Sequence, residues 1–274
     1  METRSRLFEE LNRETQYYSE HTRSQYRSHL IDYLDFIGDR DWRDRDLLYD
    51  YVEKRLKKKR GLSQRTVNYI VRGPIGALFR AHGLRLPIKL PRVKVALFDF
   101  SERLSFTREE IIKFIQVARK SGNKQWQNIM ALATTYGIRA SEIRLITREH
   151  VHPKKKTFII YLKGGLKREF TVPPQIEPCI FGYDYPVISQ NELYNIFTQI
   201  AKAAGIERVH RKTFHAIRHG LITELRYGSK IPQPTISTFM GWRESGMVGI
   251  YASPYLPDID QEVFQKHPFL KFWQ

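Results

Sequence analysis

Residues 136–143 read YGIRASEI, in which a glycine follows an apolar helical segment and an arginine comes two positions later. Apolar residues recur at helical intervals before this stretch, and glycine is the residue with which many helices end. A glutamate, Glu142, stands three residues after Arg139. The stretch therefore predicts an arginine placed just after the end of a helix, with an acidic partner close by in the chain.

Three further pieces of sequence follow it in order. Residues 162–168 read LKGGLKR, which predicts a flexible hairpin turn that carries three cations. Residues 214–219 read FHAIRH, and on a helix the (i, i+3) spacing puts His215 and Arg218 on one face. Gly241-Trp242 comes next, with Tyr251 nine residues after Trp242. Each piece alone is common, so their order and spacing carry the information.

The surrounding sequence predicts a mainly helical fold with one small β-hairpin. Residues 105–274 carry helix-start patterns at Thr107–Glu110 and Ser189–Glu192, and Thr157–Leu162 with Phe170–Val172 predict the two strands of the hairpin.

Residues 1–86 predict a separate helical domain. Its first capping box is expected at Thr22 and Gln25, and Gly73-Pro74 is expected to break or kink a helix. Residues 87–104 contain two prolines and predict an extended linker.

The charge balance points to a polyanion. The 274 residues contain 46 Lys and Arg against 29 Asp and Glu, a net charge of +17. The excess is spread over both halves of the chain, and such an excess most often serves nucleic-acid binding. Cys179 is the sole cysteine, which excludes an intramolecular disulfide and a cysteine-based zinc site. No apolar run approaches the roughly 18 residues of a membrane span, so we expect a cytoplasmic, nucleoid-associated protein.

The four pieces together resemble the tyrosine recombinases, the integrase family that includes Cre-like and Xer-like enzymes. The family pattern is a G-x-R-x-x-E stretch, a lysine on a β-hairpin, H-x-x-R-H, a G-H or G-W pair and a tyrosine nine residues later. The resemblance extends to the N-terminal region, where HTRSQYRSHLIDYLDF (21–36) and GLSQRTVNYI (61–70) look like helices of the family's SAM-like core-binding domain. It implies that residues 1–86 and 105–274 form a core-binding and a catalytic domain that clamp duplex DNA.

The resemblance implies a reaction in which a tyrosine attacks a DNA phosphodiester, forms a 3′-phosphotyrosyl link and releases a 5′-hydroxyl. Because the link conserves the bond energy, neither ATP nor a redox cofactor is expected. The sequence has no cluster of Asp and Glu typical of a two-metal nuclease or a metal-dependent transposase, so metal dependence is not implied, and no small-molecule substrate is expected. Six residues carry the implied chemistry: Arg139 and Arg218 on the transition-state charge, Lys163 as general acid, His215 as proton acceptor or phosphate ligand, Trp242 as hydrogen-bond donor and Tyr251 as nucleophile.

The general acid and the nucleophile each have an alternative in the sequence. Lys167 is the alternative general acid and Tyr255 the alternative nucleophile. Glu142 is expected to support Arg139 or His215, and His219 to make a supporting hydrogen bond. Tyr136 stands where the family usually has a threonine, and Met240 where a leucine is common.

The leading hypothesis is a site-specific recombinase that acts as a dimer on each core site and as a tetramer in the synapse. The alternatives are a type IB topoisomerase-like enzyme and a non-catalytic DNA-binding relative. The apolar residues of the C-terminal segment 256–274 need burial, either on a neighbouring protomer, as the resemblance implies, or on their own domain. The target sequence, the accessory proteins and the choice between integrase, resolvase and transposase do not follow from the sequence.

Overall fold

Two groups of helices build the protein, and the chain divides between them into the compact units Met1–Ala96 and Leu97–Gln274. The computed structural model describes residues 3–93, 105–162, 167–206, 213–242 and 256–274. None of the helices in these ranges combines the length and the apolar character that a membrane span requires.

The described part of the first unit contains helices and their connections, and no strand. Its helices are α1 (Arg4–Glu14), α2 (Glu20–Ile37), α3 (Arg45–Asp50, continued by wider π-helical turns over Tyr51–Lys59), α4 (Gln64–Ile70) and α5 (Gly76–Ala81).

Two helix starts in this unit differ from the sequence-based expectation. The predicted capping box at Thr22 and Gln25 is wrong, because α2 begins earlier and the Ser19 hydroxyl caps it by accepting from the Thr22 N–H. Helix α1 was not predicted; the Thr3 hydroxyl caps it, and Leu7 and Leu11 bury its apolar side.

Pro74 does not end the helix in which it lies. The backbone widens into π-helical turns over Val71–Ile75 and continues directly into α5. Proline lacks the N–H that an α-helical turn would use, and its ring crowds the carbonyl one turn earlier. The wider turns accommodate both effects, and Pro74 is buried in the core.

Inside the core of the first unit, the buried Tyr33 donates its hydroxyl proton to the Trp42 carbonyl at 2.7 Å.

The start of the segment that was predicted as a linker packs against this core through Leu86, Ile88 and Leu90. Residues 94–104 lie outside the described residues.

The second unit surrounds a small sheet with helices. The helices are α6 (Arg108–Lys120), α7 (Lys124–Tyr136), α8 (Ala140–Ile143), α9 (Glu177–Phe181), α10 (Gln190–Ala203), α11 (Phe214–Thr223, continued by π-helical turns over Glu224–Gly228), α12 (Gln233–Phe239) and α13 (Leu256–Gln265), and the strands are β1 (Val151–His152), β2 (Thr157–Tyr161) and β3 (Lys167–Thr171).

The sheet is antiparallel in the order β1-β2-β3. The predicted hairpin corresponds to β2 and β3, with Phe158 opposite Phe170 and Tyr161 opposite Lys167. Strand β1 is too short for a period-2 pattern to reveal it. The mainly helical fold with a small sheet is therefore confirmed.

The C-terminal segment packs on its own unit, the second of the two alternatives. Val263, Phe269 and Trp273 are buried in the core of that unit. His267 is also buried, and its Nε2 lies 2.9 Å from the Thr135 carbonyl oxygen at the end of α7. The apolar residues that needed burial thus find it within the single chain.

Candidate active site

Arg139 is the first residue of the site in chain order, and Glu142 fixes its position. Gly137 ends α7 in the left-handed conformation, with φ of 62°, and this turn leads the chain to Arg139 at the start of α8. The buried Glu142 carboxylate accepts from the Arg139 backbone N–H at 2.9 Å and from Nη1 at 2.7 Å. These bonds use one backbone and one guanidinium donor and leave the remaining guanidinium N–H groups for a ligand.

Arg218 lies on α11 and is almost completely buried, with 4% of its surface exposed. Its Nη1 donates to the Gly137 carbonyl at 2.7 Å, and its Nη2 donates to the Met240 carbonyl at 3.2 Å. Burial, reinforced by the charge of Arg139, lowers the pKa of Arg218 to about 10. The side chain therefore stays cationic at neutral pH while two backbone carbonyls hold its direction.

Trp242 lies beside Arg218. The Arg218 guanidinium carbon is 5.7 Å from the centre of the indole ring, within the range of a cation–π contact. Gly241 precedes it with φ of 65°, and a Cβ atom there would overlap Leu162 Cδ1. The turn that presents Trp242 therefore packs against Leu162, the residue directly before Lys163 in the chain.

His215 and His219 lie one turn apart on the exposed side of α11. Their Nε2 atoms are 3.0 Å apart, so one ring donates to the other. Partial burial, together with the charges of His219, Arg218 and Arg139, lowers the pKa of His215 below 6.5. The charges of Arg218 and Arg139 act on His215, so the imidazole lies in the neighbourhood of the two arginines.

A cavity of about 220 Å³ opens between Arg139 and His215. Polar side chains that the sequence did not single out line part of it, because their approach depends on how α8, α10 and α11 pack; these are Ser141, Gln190, Tyr194 and Thr213. The cavity presents an arginine, an imidazole and several hydroxyl groups to any bound group, a donor set that suits an anion.

The structure thus brings together four of the six predicted site residues: Arg139, His215, Arg218 and Trp242. Lys163 and Tyr251 lie outside the described residues, as does Tyr255. Lys167 is described and exposed at the start of β3.

One cation of the predicted flexible turn lies elsewhere. Arg168 is buried, and its Nη2 donates to Asp260 on α13 at 2.6 Å. The expectation that Arg168 belongs to the flexible turn is wrong, because Arg168 lies in β3 and an acidic partner 92 residues later in the chain pairs with it.

Comparison with known proteins yields one family match. Residues 179–256 match the model of the phage integrase family. This range contains His215, Arg218, Trp242 and Tyr251. No curated protein matches the chain significantly.

Solved structures match over most of the chain. A lambda integrase fragment, solved as a dimer bound to a COC′ core site, is 15% identical with a TM-score of 0.64, covering 87% of this chain and 96% of that one. The Tn1549 transposon integrase, solved with a circular-intermediate DNA, is 18% identical with a TM-score of 0.58, covering 94% and 98%. The XerH recombinase, bound to its difH substrate, is 17% identical with a TM-score of 0.54, covering 73% and 64%. At these identities the likeness to the solved structures is one of fold, and the phage integrase family model matches residues 179–256 of the chain.

Proposed function

We propose that this protein is a site-specific recombinase that cleaves and rejoins duplex DNA through a 3′-phosphotyrosyl intermediate. The observation that carries the proposal is the convergence of Arg139, Arg218, His215 and Trp242. Two guanidinium groups and an indole N–H provide donors for a phosphate, and residues 179–256 of the same chain match the phage integrase family.

The two arginines stabilise the charge that develops on the non-bridging oxygens in the transition state. Arginine is always charged near neutral pH, and its planar donors match phosphate geometry. Arg218 is held in advance by the Gly137 and Met240 carbonyls, and Glu142 holds Arg139. Donors fixed in this way need little reorganisation during the reaction, which is why they stabilise a transition state strongly.

Proton transfer is assigned to three residues. The Tyr251 hydroxyl loses its proton as it attacks phosphorus, and His215 accepts this proton or orients the phosphate. The low pKa of His215 keeps its imidazole neutral at pH 7, as a proton acceptor must be. Lys163 then protonates the departing 5′-oxygen, with Lys167 as the alternative donor. The bond energy is retained in the phosphotyrosyl link, so rejoining is the reverse of cleavage.

The substrate in this proposal is double-stranded DNA, held by a face of each unit. The net charge of +17 supports a polyanionic substrate. The lambda integrase relatives were solved as a dimer on a core site and as a tetramer on a Holliday junction. We propose the same assembly here: a dimer on each core site and a tetramer in the synapse.

A covalent trap tests the proposal. The protein is incubated with labelled DNA from its own genomic surroundings, quenched with SDS and examined for protein-linked DNA. Wild type and Tyr255→Phe are expected to give the linked species, and Tyr251→Phe is expected to lose it. Linkage that persists in Tyr251→Phe and disappears in Tyr255→Phe would move the nucleophile to Tyr255.

Two further outcomes separate the alternatives. Relaxation of supercoiled plasmids without any recombination site would favour a type IB topoisomerase-like enzyme. Tight DNA binding without linkage on any DNA would favour a non-catalytic relative.

A further inference from the structure

The first unit carries a cavity that plays no part in the site above. It has a volume of about 440 Å³ and lies between the middle of α2 and the π-helical turns that follow α3. We call it the basic notch, and it is lined by Ser28, His29, Asp32, Arg55, Lys59 and Arg60.

Asp32 organises the basic notch. Arg55 donates to Asp32 Oδ1 through Nε at 3.1 Å and through Nη2 at 2.6 Å. Tyr51 and Arg60 donate to Oδ2 at 2.8 Å and 3.1 Å. Burial alone would raise the pKa of Asp32, but the hydrogen bonds from Arg55 and Tyr51 and the charges of Arg55 and Arg60 outweigh it and lower that pKa. The carboxylate therefore stays ionised and holds two guanidinium groups together.

The arrangement leaves an excess of positive charge. Three cations against one carboxylate give a local charge of +2, since partial burial and the charge of Arg60 lower the pKa of His29 and keep it neutral at pH 7. On the same helical run, Lys54 and Lys57 are neutralised by Asp50 and Glu53.

Lys59 differs from these two lysines because its side chain forms no ion pair or hydrogen bond with any residue that the structure describes. Its ammonium group, together with the guanidinium N–H groups that Asp32 does not use, is available for an external anion.

We propose that the basic notch binds one backbone phosphate of duplex DNA, with Lys59, Arg55 and Arg60 as its donors. The inference rests on the proposed function and adds a contact outside the catalytic unit. A phosphodiester carries one negative charge and several acceptor oxygens, which suits a notch of charge +2 lined by guanidinium, ammonium and hydroxyl donors.

The lining also indicates what kind of contact this is. It contains no aliphatic, phenyl, phenol or indole side chain on which a base would stack. The imidazole of His29 is its one aromatic ring, and that ring already meets Tyr69 edge to face. Phosphate contacts fix the register of a protein on the duplex without reading the base sequence. The basic notch is therefore a positioning contact, and its contribution to affinity should be the same on every sequence.

The salt dependence of DNA binding tests the proposal. The dissociation constants of two unrelated 30-bp duplexes are measured by fluorescence anisotropy over a series of NaCl concentrations. The proteins are the wild type, Lys59→Gln and the control Lys54→Gln, which removes the same charge from a neutralised lysine on the same helical run. Each phosphate contact contributes about 0.9 to the slope of log K against log salt. Lys59→Gln should lower the slope by about that amount on both duplexes, and Lys54→Gln should leave it unchanged.

A second readout locates the contact directly. Lysine acetylation followed by mass spectrometry should show Lys59 protected by DNA and Lys54 unprotected. Equal slopes for wild type and Lys59→Gln, or equal acetylation of Lys59 with and without DNA, would overturn the proposal that the basic notch binds a phosphate. If covalent linkage through Tyr251 persisted in that case, the proposed function would stand without it; a wild-type protein that binds no duplex would overturn both.

Discussion

The imidazole rings of His215 and His219 meet edge to face, with their Nε2 atoms 3.0 Å apart and their planes at 88°. A hydrogen bond between two ring nitrogens needs one N–H and one lone pair, so at least one ring is neutral. Partial burial and the charge of Arg218 lower the pKa of both rings, and Arg139 adds to the effect on His215. His219 thus helps to keep His215 unprotonated, a role that the spacing of H-x-x-R-H does not reveal.

Replacing His219 should shift the pH dependence of DNA cleavage. In His219→Ala, His215 loses a neighbour that lowers its pKa, so this pKa should rise towards 6.5. A proton acceptor works only above its own pKa; the acid side of the pH–rate profile should therefore move to higher pH. The rate of covalent complex formation between pH 5 and 8.5 measures this, with His152→Ala on β1 as the control. An acid midpoint equal to that of wild type would show that His219 does not act through His215.

Arg218→Lys should abolish most activity although it keeps the charge. The guanidinium reaches both the Gly137 and the Met240 carbonyl, and a single ammonium does not reproduce this planar, divergent geometry. We expect a fall of about 10²- to 10³-fold in cleavage rate, the usual effect of losing one preorganised donor. Arg226→Lys, on the turns that continue α11, is the control, because within the described part of the chain the Arg226 guanidinium donates to the nearby Ile231 carbonyl alone. Similar rates for the two variants would argue against a catalytic role of Arg218.

The buried pair Arg168–Asp260 should couple strongly in a double-mutant cycle. Its side chains are 4% and 1% exposed, and Asp260 Oδ2 also accepts from the Thr171 N–H at 2.8 Å. Removing one partner leaves an uncompensated buried charge, which typically costs about 3–5 kcal/mol. The free energy of unfolding is measured in urea for Arg168→Met, Asp260→Leu and the double variant. The loss in the double variant should be smaller than the sum of the two single losses. Strictly additive losses would contradict the coupling.

The pH dependence of the Arg168→Met variant gives an independent check. Burial already raises the pKa of Asp260 to about 6 in the presence of Arg168, and loss of the cation should raise it further. Below this pKa the carboxyl group takes up a proton and the buried charge disappears. The stability deficit of Arg168→Met should therefore be smaller at pH 5 than at pH 7.5. An equal deficit at both values would contradict a charge-based cause.

Local features of the fold could be predicted where neighbouring residues determine them. The capping boxes Thr107–Glu110 and Ser189–Glu192 both form, because each needs only residues three positions apart. Helix α1 was missed because just two of its side chains, Leu7 and Leu11, are buried, and it packs against the distant α5. Arg168 was misplaced for the same reason: its partner lies far away in the chain.

Some residues of the candidate site could be predicted from the sequence, and others could not. The order and spacing of the four sequence pieces identified Arg139, His215, Arg218 and Trp242, which come together in the structure. Of the groups that hold these side chains, Glu142 was expected to support Arg139 or His215, and it pairs with Arg139. The carbonyls that hold Arg218 were not predictable, since a backbone carbonyl such as that of Gly137 leaves no trace in residue type. The lining of the cavity by Gln190 and Tyr194 likewise follows from helix packing.

Gly241→Ala should impair cleavage through Leu162, and Gly205→Ala provides a matched control. Both glycines have left-handed backbones, with φ of 65° and 67°, so an alanine at either costs about 1–2 kcal/mol of backbone strain. A Cβ at Gly205 would have no atom of the described residues within 4 Å, whereas a Cβ at Gly241 would overlap Leu162 Cδ1. Leu162 precedes Lys163 in the chain, and Trp242 follows Gly241. We therefore expect the overlap to displace the backbone next to both of these predicted site residues.

The covalent trap and urea unfolding together measure the outcome. Both alanine variants should lose similar stability from strain, Gly241→Ala somewhat more because of the overlap, and only Gly241→Ala should lose cleavage. Adding Leu162→Ala removes the overlapping atom and should restore part of the cleavage lost in Gly241→Ala, although it costs core packing. Cleavage by Gly241→Ala equal to that of Gly205→Ala would mean that the contact between Leu162 and the Gly241 turn supports folding and does not position the catalytic groups.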